Sequence, residues 1–357
     1  MRRITLKHAK PGMVVEAPVY DNWGNLIIYK DNELTAAIIS SITERGISEV
    51  LIRDWRVTDV LIVPLFAPQN EGTLASYFRQ LVLEVQANGD FSNQTFNDVR
   101  VALVNMTKDM DLNIVGDLNV TCNIRPDDYA FLQPVKTAGV SLAIGRCLGL
   151  KPDQMLNLGL AALFKDIGLP VEIMDSVDLL SEGASDRVKD HPVNGCNILI
   201  KKKLVDQEVI TAILNHHEQW NGAGYPSGLK GQQISRLARI LSMADTYIDL
   251  MTARPGRNKY MPHEAIEYIM AFGGDQFDPE LVETFVRQIP SYPSGLSVQL
   301  NTGDTGIVCD PKMGFVARPI VRVCYRPVKG LLKQPIDVDL SHVTYQRMLI
   351  TKVLEYD

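Results

Sequence analysis

Through the middle of the chain, between about 126 and 290, apolar residues recur every three or four positions. The stretches are DDYAFLQPVKTAGVSLAIGRCLGL, MLNLGLAALFKDIG, VNGCNILIKK, DQEVITAILNHHE, SRLARILSMADTYIDLMTA, HEAIEYIMAF and PELVETFVRQI. That spacing lays one apolar stripe along each helix and predicts a helical bundle. The Gly and Pro residues gather in the connections, GLKP, GLPVEIMD, HPVNG, NGAGYPSGLKG, ARPGR and GGDQFDP, where helices must stop.

The flanks have other rhythms. Residues 1–65 hold short strand-like runs (MVVEAPVY, NLIIY, SEVLI, DVLIVPLF), a turn at DNWGN and one helical stretch, LTAAIISSITERG, and are expected to form a mixed β/α module. Residues 66–125 read as a helical connecting region, with helical spacing in SYFRQLVLEVQANG and NDVRVALVNMTKDM. Beyond 291 the alternation of apolar and polar positions in LSVQLNTGDTGIVCD, FVARPIVRVCYRP and PIDVDLS predicts a small β segment over 291–357.

Composition narrows the classes. The 357 residues, 46% hydrophobic and 22% charged, are enough for two or three domains with sizeable cores. A net charge of -6 offers no general attraction to DNA or to an anionic membrane surface. The five cysteines, Cys122, Cys147, Cys196, Cys309 and Cys324, have no CxxC spacing, which argues against a thiolate metal site and suits a reducing compartment. No apolar run is long enough to span a membrane, and a cytoplasmic location is expected.

Candidate chemistry lies in the helical middle. Asp166, His191, His216, His217, Asp245 and Asp249 all fall near helix ends, and converging imidazoles and carboxylates are the groups that hold a divalent ion. His216 and His217 are adjacent; neighbouring helical positions point about 100° apart, so the pair needs a reason. In GAGYP, two glycines and a proline around Tyr225 predict a rigid loop presenting one aromatic ring, suited to a base or a partner surface. Arg254 and Arg257 suit phosphate recognition, or surface ion pairs with nearby acids.

These residues together resemble the HD-GYP family, helical metal-dependent phosphodiesterases of bacteria that hydrolyse cyclic di-GMP. The resemblance covers about 126–290. FKDIG resembles the HD box, HPVNGCNIL the next histidine loop, and HHEQWNGAGYPSGLKGQQI the diagnostic motif, followed by LARILSMADTYIDLMTARPGR and FDPELVETF. It implies a mainly α fold, an HD-type helical bundle between the two flanking modules. It also implies Asp166, His191, His216, His217 and Asp245 as metal ligands, Tyr225, Arg254 and Arg257 as ligand-binding residues, and Gly224, Tyr225 and Pro226 as a docking loop for diguanylate cyclase (GGDEF) domains.

Three positions depart from the family. The opening-helix histidine is replaced by Gln133, the HD histidine by Lys165, and the lysine of the HDxGK run by Leu169. The first metal would keep only Asp166 and Asp245, whereas a second could still find His191, His216, His217 and Asp166. The expectation is one divalent ion (Fe, Mn or Zn), with the Lys165 ammonium, beside the catalytic-position Asp166, standing where the other ion would sit. The protein is then read as a signalling protein that binds cyclic di-GMP or docks partners with little or no hydrolysis. The alternative is an active phosphodiesterase using a single metal. Whether the chain forms a homodimer is left open.

Overall fold

The structure is a computed structural model that describes residues 1–62, 64–112, 124–171, 173, 186–254, 256–312, 314–315 and 317–354. Cys122, Pro255 of the ARPGR turn and part of GLPVEIMD lie outside the described residues. The four segments expected from the sequence are grouped into two compact units. One joins Met1–Leu65 to Ile289–Asp357; the other is built from Phe66–Ile114 and Val120–Gln288.

In the first unit, β1 (Arg2–Thr5) pairs antiparallel with β4 (Glu49–Ile52), and β2 (Val19–Tyr20) with β3 (Leu26–Ile28). Helix α1 (Ala36–Glu44) starts where the Thr35 hydroxyl accepts from the Ile38 amide, a side-chain cap. Ile4, Leu6, Val15, Leu34, Ile42 and Val50 fill the core beneath them. Of MVVEAPVY, only its last two residues form a strand; Val14 and Val15 make single bridges, and Pro18 lacks the amide a ladder needs. DVLIVPLF forms no named strand among its described residues. Val60 and Ile62 instead bury their side chains against Ile307 and Cys324 from the C-terminal segment.

The C-terminal segment folds as an antiparallel sheet of five strands in the order β8-β7-β6-β5-β9. These are β5 (Ser297–Leu300), β6 (Thr305–Asp310), β7 (Ile320–Arg326), β8 (Gly330–Asp339) and β9 (Ile350–Leu354). Arg322 ties the two segments together, reaching Asp337 on β8 and Asp59 near the end of the first segment.

The second unit is helical, as expected: α2 (Pro68–Asn88), α3 (Asn93–Leu112), α4 (Tyr129–Cys147), α5 (Pro152–Phe164), a single turn α6 (Asp186–Lys189), α7 (His191–Lys202), α8 (Gln207–Leu214), α9 (Arg236–Met251), α10 (Pro262–Ala271) and α11 (Pro279–Gln288). Helix α4 is buried along nearly its whole length and packs against α2, α5, α9 and α11. Its even hydrophobicity is that of a central helix rather than a surface one. No described helix is long and apolar enough to cross a membrane.

Candidate metal centre

The centre forms where α4, the end of α5, the start of α7, the end of α8 and the middle of α9 converge. Phe164, the last residue of α5, is wedged among Phe78, Phe91 and Phe96, with ring centroids 5.9–6.1 Å away. This pins the backbone of the two residues that follow, Lys165 and Asp166. The chain then turns through Gly168, where a Cβ would lie 2.4 Å from the His191 carbonyl oxygen and 2.5 Å from the Gly195 nitrogen. Only glycine lets this turn sit directly on the first turn of α7, and that contact brings Asp166 beside His191.

His191 and His216 are held alike. Each Nδ1 faces a backbone carbonyl of its own chain segment, Val188 at 2.5 Å and Ile213 at 2.6 Å. A carbonyl oxygen only accepts, so Nδ1 carries the proton, and the neutral ring presents a bare Nε2 lone pair. The two Nε2 atoms are 3.3 Å apart. They lie 3.2 Å and 3.8 Å from Oδ1 of Asp166. Burial lowers the pKa of His216; burial, followed by the His216 and His191 rings, pushes that of His217 well below its ordinary value. Both are therefore neutral near pH 7, the ligating form.

This arrangement calls for a cation. Asp166 Oδ1 and His217 Nε2 are buried atoms with no hydrogen-bond donor among the described residues. Ligand atoms of Asp166, His191, His216 and His217 all lie within 4.8 Å of one another. Acceptors facing acceptors in a buried site repel unless something positive lies between them. Three imidazoles and a carboxylate suit a divalent transition metal, so the residues present fit one ion.

The other side of Asp166 is different. Lys165, 1% exposed, places its ammonium on Oδ2 of Asp166 and 2.9 Å from Oδ1 of Asp245. Gln133 donates its Nε2 to that same Asp245 oxygen at 2.6 Å. Burial alone would lower the Lys165 pKa, but Asp166 and Asp245 outweigh it and raise it, so the side chain stays charged. Burial likewise works to raise the Asp166 carboxyl, and the ammonium overrides it, holding it well below the usual carboxylate range. Leu169 is buried, its carbonyl receiving the Gln86 amide from α2 at 3.1 Å.

Two expectations change on inspection. Tyr225 is not presented at a loop tip: its half-buried ring stacks on His217, centroids 4.7 Å apart and 17° from parallel. The loop folds back because the Tyr225 amide donates to the His217 carbonyl, and at Gly224 a Cβ would meet backbone atoms of His217, Glu218 and Gln219 at 2.3–2.5 Å. Pro226 remains exposed. Arg254 and Arg257 both turn inward to the buried Asp249. Arg257 donates to the carboxylate of Asp249 at 2.5 Å and to its carbonyl at 3.0 Å. The Arg254 guanidinium lies 3.7 Å over the Tyr129 ring, and the Tyr129 hydroxyl donates to Asp249 at 2.7 Å. Burial pushes the Asp249 carboxyl up to about 6 against the pull of Arg257. Asp245 and Asp249, one turn apart on α9, thus serve different groups.

Glu218, which the sequence reading passed over, holds the loop. It is 2% exposed, and its two carboxylate oxygens accept the amides of Ser227 at 2.7 Å and Leu229 at 3.0 Å. An acid four residues before the first glycine of a loop, whose amides need acceptors outside any helix or strand, was the available signal.

Residues 119–281 match the HD domain family. A cyclic di-GMP phosphodiesterase of Pseudomonas aeruginosa is 32% identical over 202 residues, 56% of this chain and 49% of that protein. A cyclic di-GMP phosphodiesterase response regulator of Xanthomonas campestris pv. campestris is 33% identical over 164 residues, covering 44% of this chain and 42% of its own length. The chain thus spans half or less of the length of these curated relatives. Among solved structures, an HDG"Y"P protein from Bdellovibrio bacteriovorus superposes with a TM-score of 0.51 at 20% identity, over 79% of this chain and 97% of that one, a likeness of fold. The helical middle of this chain thus matches the HD domain family and is similar to proteins named as cyclic di-GMP phosphodiesterases.

Proposed function

We propose that the chain is an HD-GYP-type signalling protein that binds cyclic di-GMP or docks partners and hydrolyses the dinucleotide slowly or not at all. One observation carries this reading: Asp166 is divided, with Oδ1 turned to three imidazoles and Oδ2 to an ammonium. His191, His216, His217 and Asp166 would hold one divalent ion, which when bound supplies Lewis acidity and an acidified water. A second ion would need lone pairs on Asp166 and Asp245 that Lys165 and Gln133 already engage. The ammonium restores positive charge there and can draw a phosphate, but it cannot generate a hydroxide nucleophile. The reading extends to the arginines. A dinucleotide phosphate would share Arg254 and Arg257 with Asp249, and the exposed Pro226 edge of the GYP loop is the surface left for a cyclase domain.

The relatives' names support cyclic di-GMP as the ligand. A second reading, hydrolysis with one metal, is favoured by the completeness of the three-imidazole cluster. Turnover of cyclic di-GMP by the purified chain, compared with Gln133→His/Lys165→His, separates the two. A lost metal contribution of several kcal/mol corresponds to at least ~100-fold in rate. The wild type is expected to be slower than the double variant by that margin; equal rates would refute the first reading.

A further inference from the structure

The first unit holds a cleft of about 570 Å³ whose lining includes Arg2, Arg53, Asp54, Trp55, Arg56 and Leu331. Its size falls in the ~300–1,000 Å³ range of small-ligand sites. Three features set it apart from an ordinary surface depression.

The first is charge. In a protein with a net charge of -6, three of the lining side chains named above are guanidiniums and one is a carboxylate. That carboxylate, Asp54, is already engaged: Arg56 grips it with two bonds of 2.9 Å and 2.7 Å, and Arg2 reaches it at 3.4 Å. Counted with the other acids these cations grip, Glu16 and Asp31 on Arg53 and Glu16 on Lys30, the cluster of four cations and three carboxylates keeps one net positive charge for an incoming anion. The second is the exposed apolar surface. Trp55 is 62% exposed and Leu331 63%, and both line the same cleft. A solvent-facing indole beside arginines is poorly placed as core material and well placed as a stacking platform. The third is preorganisation. Arg53, half exposed, has Nε bonded to Glu16 at 2.6 Å and Nη2 bonded to Asp31, which fixes the plane of its fork. A guanidinium oriented in advance loses less freedom when it binds a phosphate.

We propose that this cleft is a binding site for a small aromatic phosphate, a nucleoside monophosphate or a molecule of like size, with its ring on Trp55 and its phosphate at Arg53 and Arg56. The four-residue run RDWR at 53–56 supplies all the specific contacts, and the strand pairing of Ile52 with Arg2 brings the remaining guanidinium to the same wall. The site is independent of the metal cluster, which lies in the other unit.

Isothermal titration of the full chain with GMP, guanosine and inorganic phosphate, on wild type, Trp55→Ala and Arg53→Ala, tests this. Both side chains are at least half exposed, so truncation leaves the core intact, and a thermal melt checks it. The expected result is saturable GMP binding, with guanosine and phosphate alone each at least tenfold weaker. Stacking on an aromatic side chain is worth roughly five- to 150-fold in affinity. Trp55→Ala should therefore weaken GMP by about tenfold or more, and Arg53→Ala should abolish the preference for GMP over guanosine. Absence of GMP binding at millimolar concentration overturns the proposal. So does GMP binding that neither variant changes, since the nucleotide would then be sitting elsewhere.

Discussion

Replacing Lys165 with methionine keeps most of the side-chain volume and removes the charge, so it isolates what the ammonium contributes. In the wild type the ammonium is 1% exposed, touches Asp166 and lies 2.9 Å from Asp245. At that separation and an effective dielectric constant of about 20, each attraction is worth about 6 kcal/mol before desolvation is subtracted. Breaking a buried ion pair by removing one partner typically costs about 3–5 kcal/mol, because the other charge is left buried and alone. Here two carboxylates lose their partner together. Lys165→Met should therefore be destabilised by at least about 3 kcal/mol in metal-free buffer, a fall in Tm of ~6–12 °C for a unit of this size. The same argument predicts rescue: a divalent cation bound to the freed carboxylates at 100 times its Kd returns about 2.7 kcal/mol. The assay is a thermal melt of wild type and variant in EDTA and in a manganese series. A variant as stable as the wild type in EDTA, or one that manganese does not rescue beyond the wild type, would refute the account of Lys165 as a replacement cation.

Gly224→Ala forces a Cβ into backbone that cannot move aside, at 2.3–2.5 Å from residues 217–219, and should cost about 1–3 kcal/mol while lifting Tyr225 off His217. Loss of the ring-stacking shift in the Tyr225 NMR signals checks it. In the first unit, Lys312, followed by Ser341, holds the Asp339 carboxyl at about 2, below its ordinary value of 3.8. For an acid with a depressed pKa, the stabilisation is present above the unfolded value and is lost as pH falls, here between about 4 and 2. Lys312→Ala should move the Asp339 titration, followed by carbon NMR, back toward 3.8.

Much of this was legible in the sequence because it is local. The period of three to four in DDYAFLQPVKTAGVSLAIGRCLGL specified α4, and the adjacency of His216 and His217 marked the cluster. The capping threonine and the DNWGN turn carry their own signals: the Asp21 side chain accepts the amides of Trp23 and Asn25. What could not be read is non-local. Nothing in RVTDVLIV says that Val60 and Ile62 will pack beside Ile307, or that Arg322 will seek Asp59 across 263 positions. The same holds within the site. GAGYP marked a loop around Tyr225, but which way Tyr225 points depends on the His217 carbonyl and on Glu218. The arginines read as phosphate-binding residues or as partners of surface acids, and Asp249 was not recognisable as their partner until α9 and its following turn were folded.

The most direct measurement of the central claim is metal stoichiometry. Protein purified without added metal and then equilibrated with excess manganese, zinc or iron(II) should bind one ion per chain, in the cluster of His191, His216, His217 and Asp166. Gln133→His/Lys165→His should bind two. Two ions per wild-type chain, bridged through Asp166, would contradict the account, because the Asp166 oxygen assigned here to an ammonium would then be serving a metal.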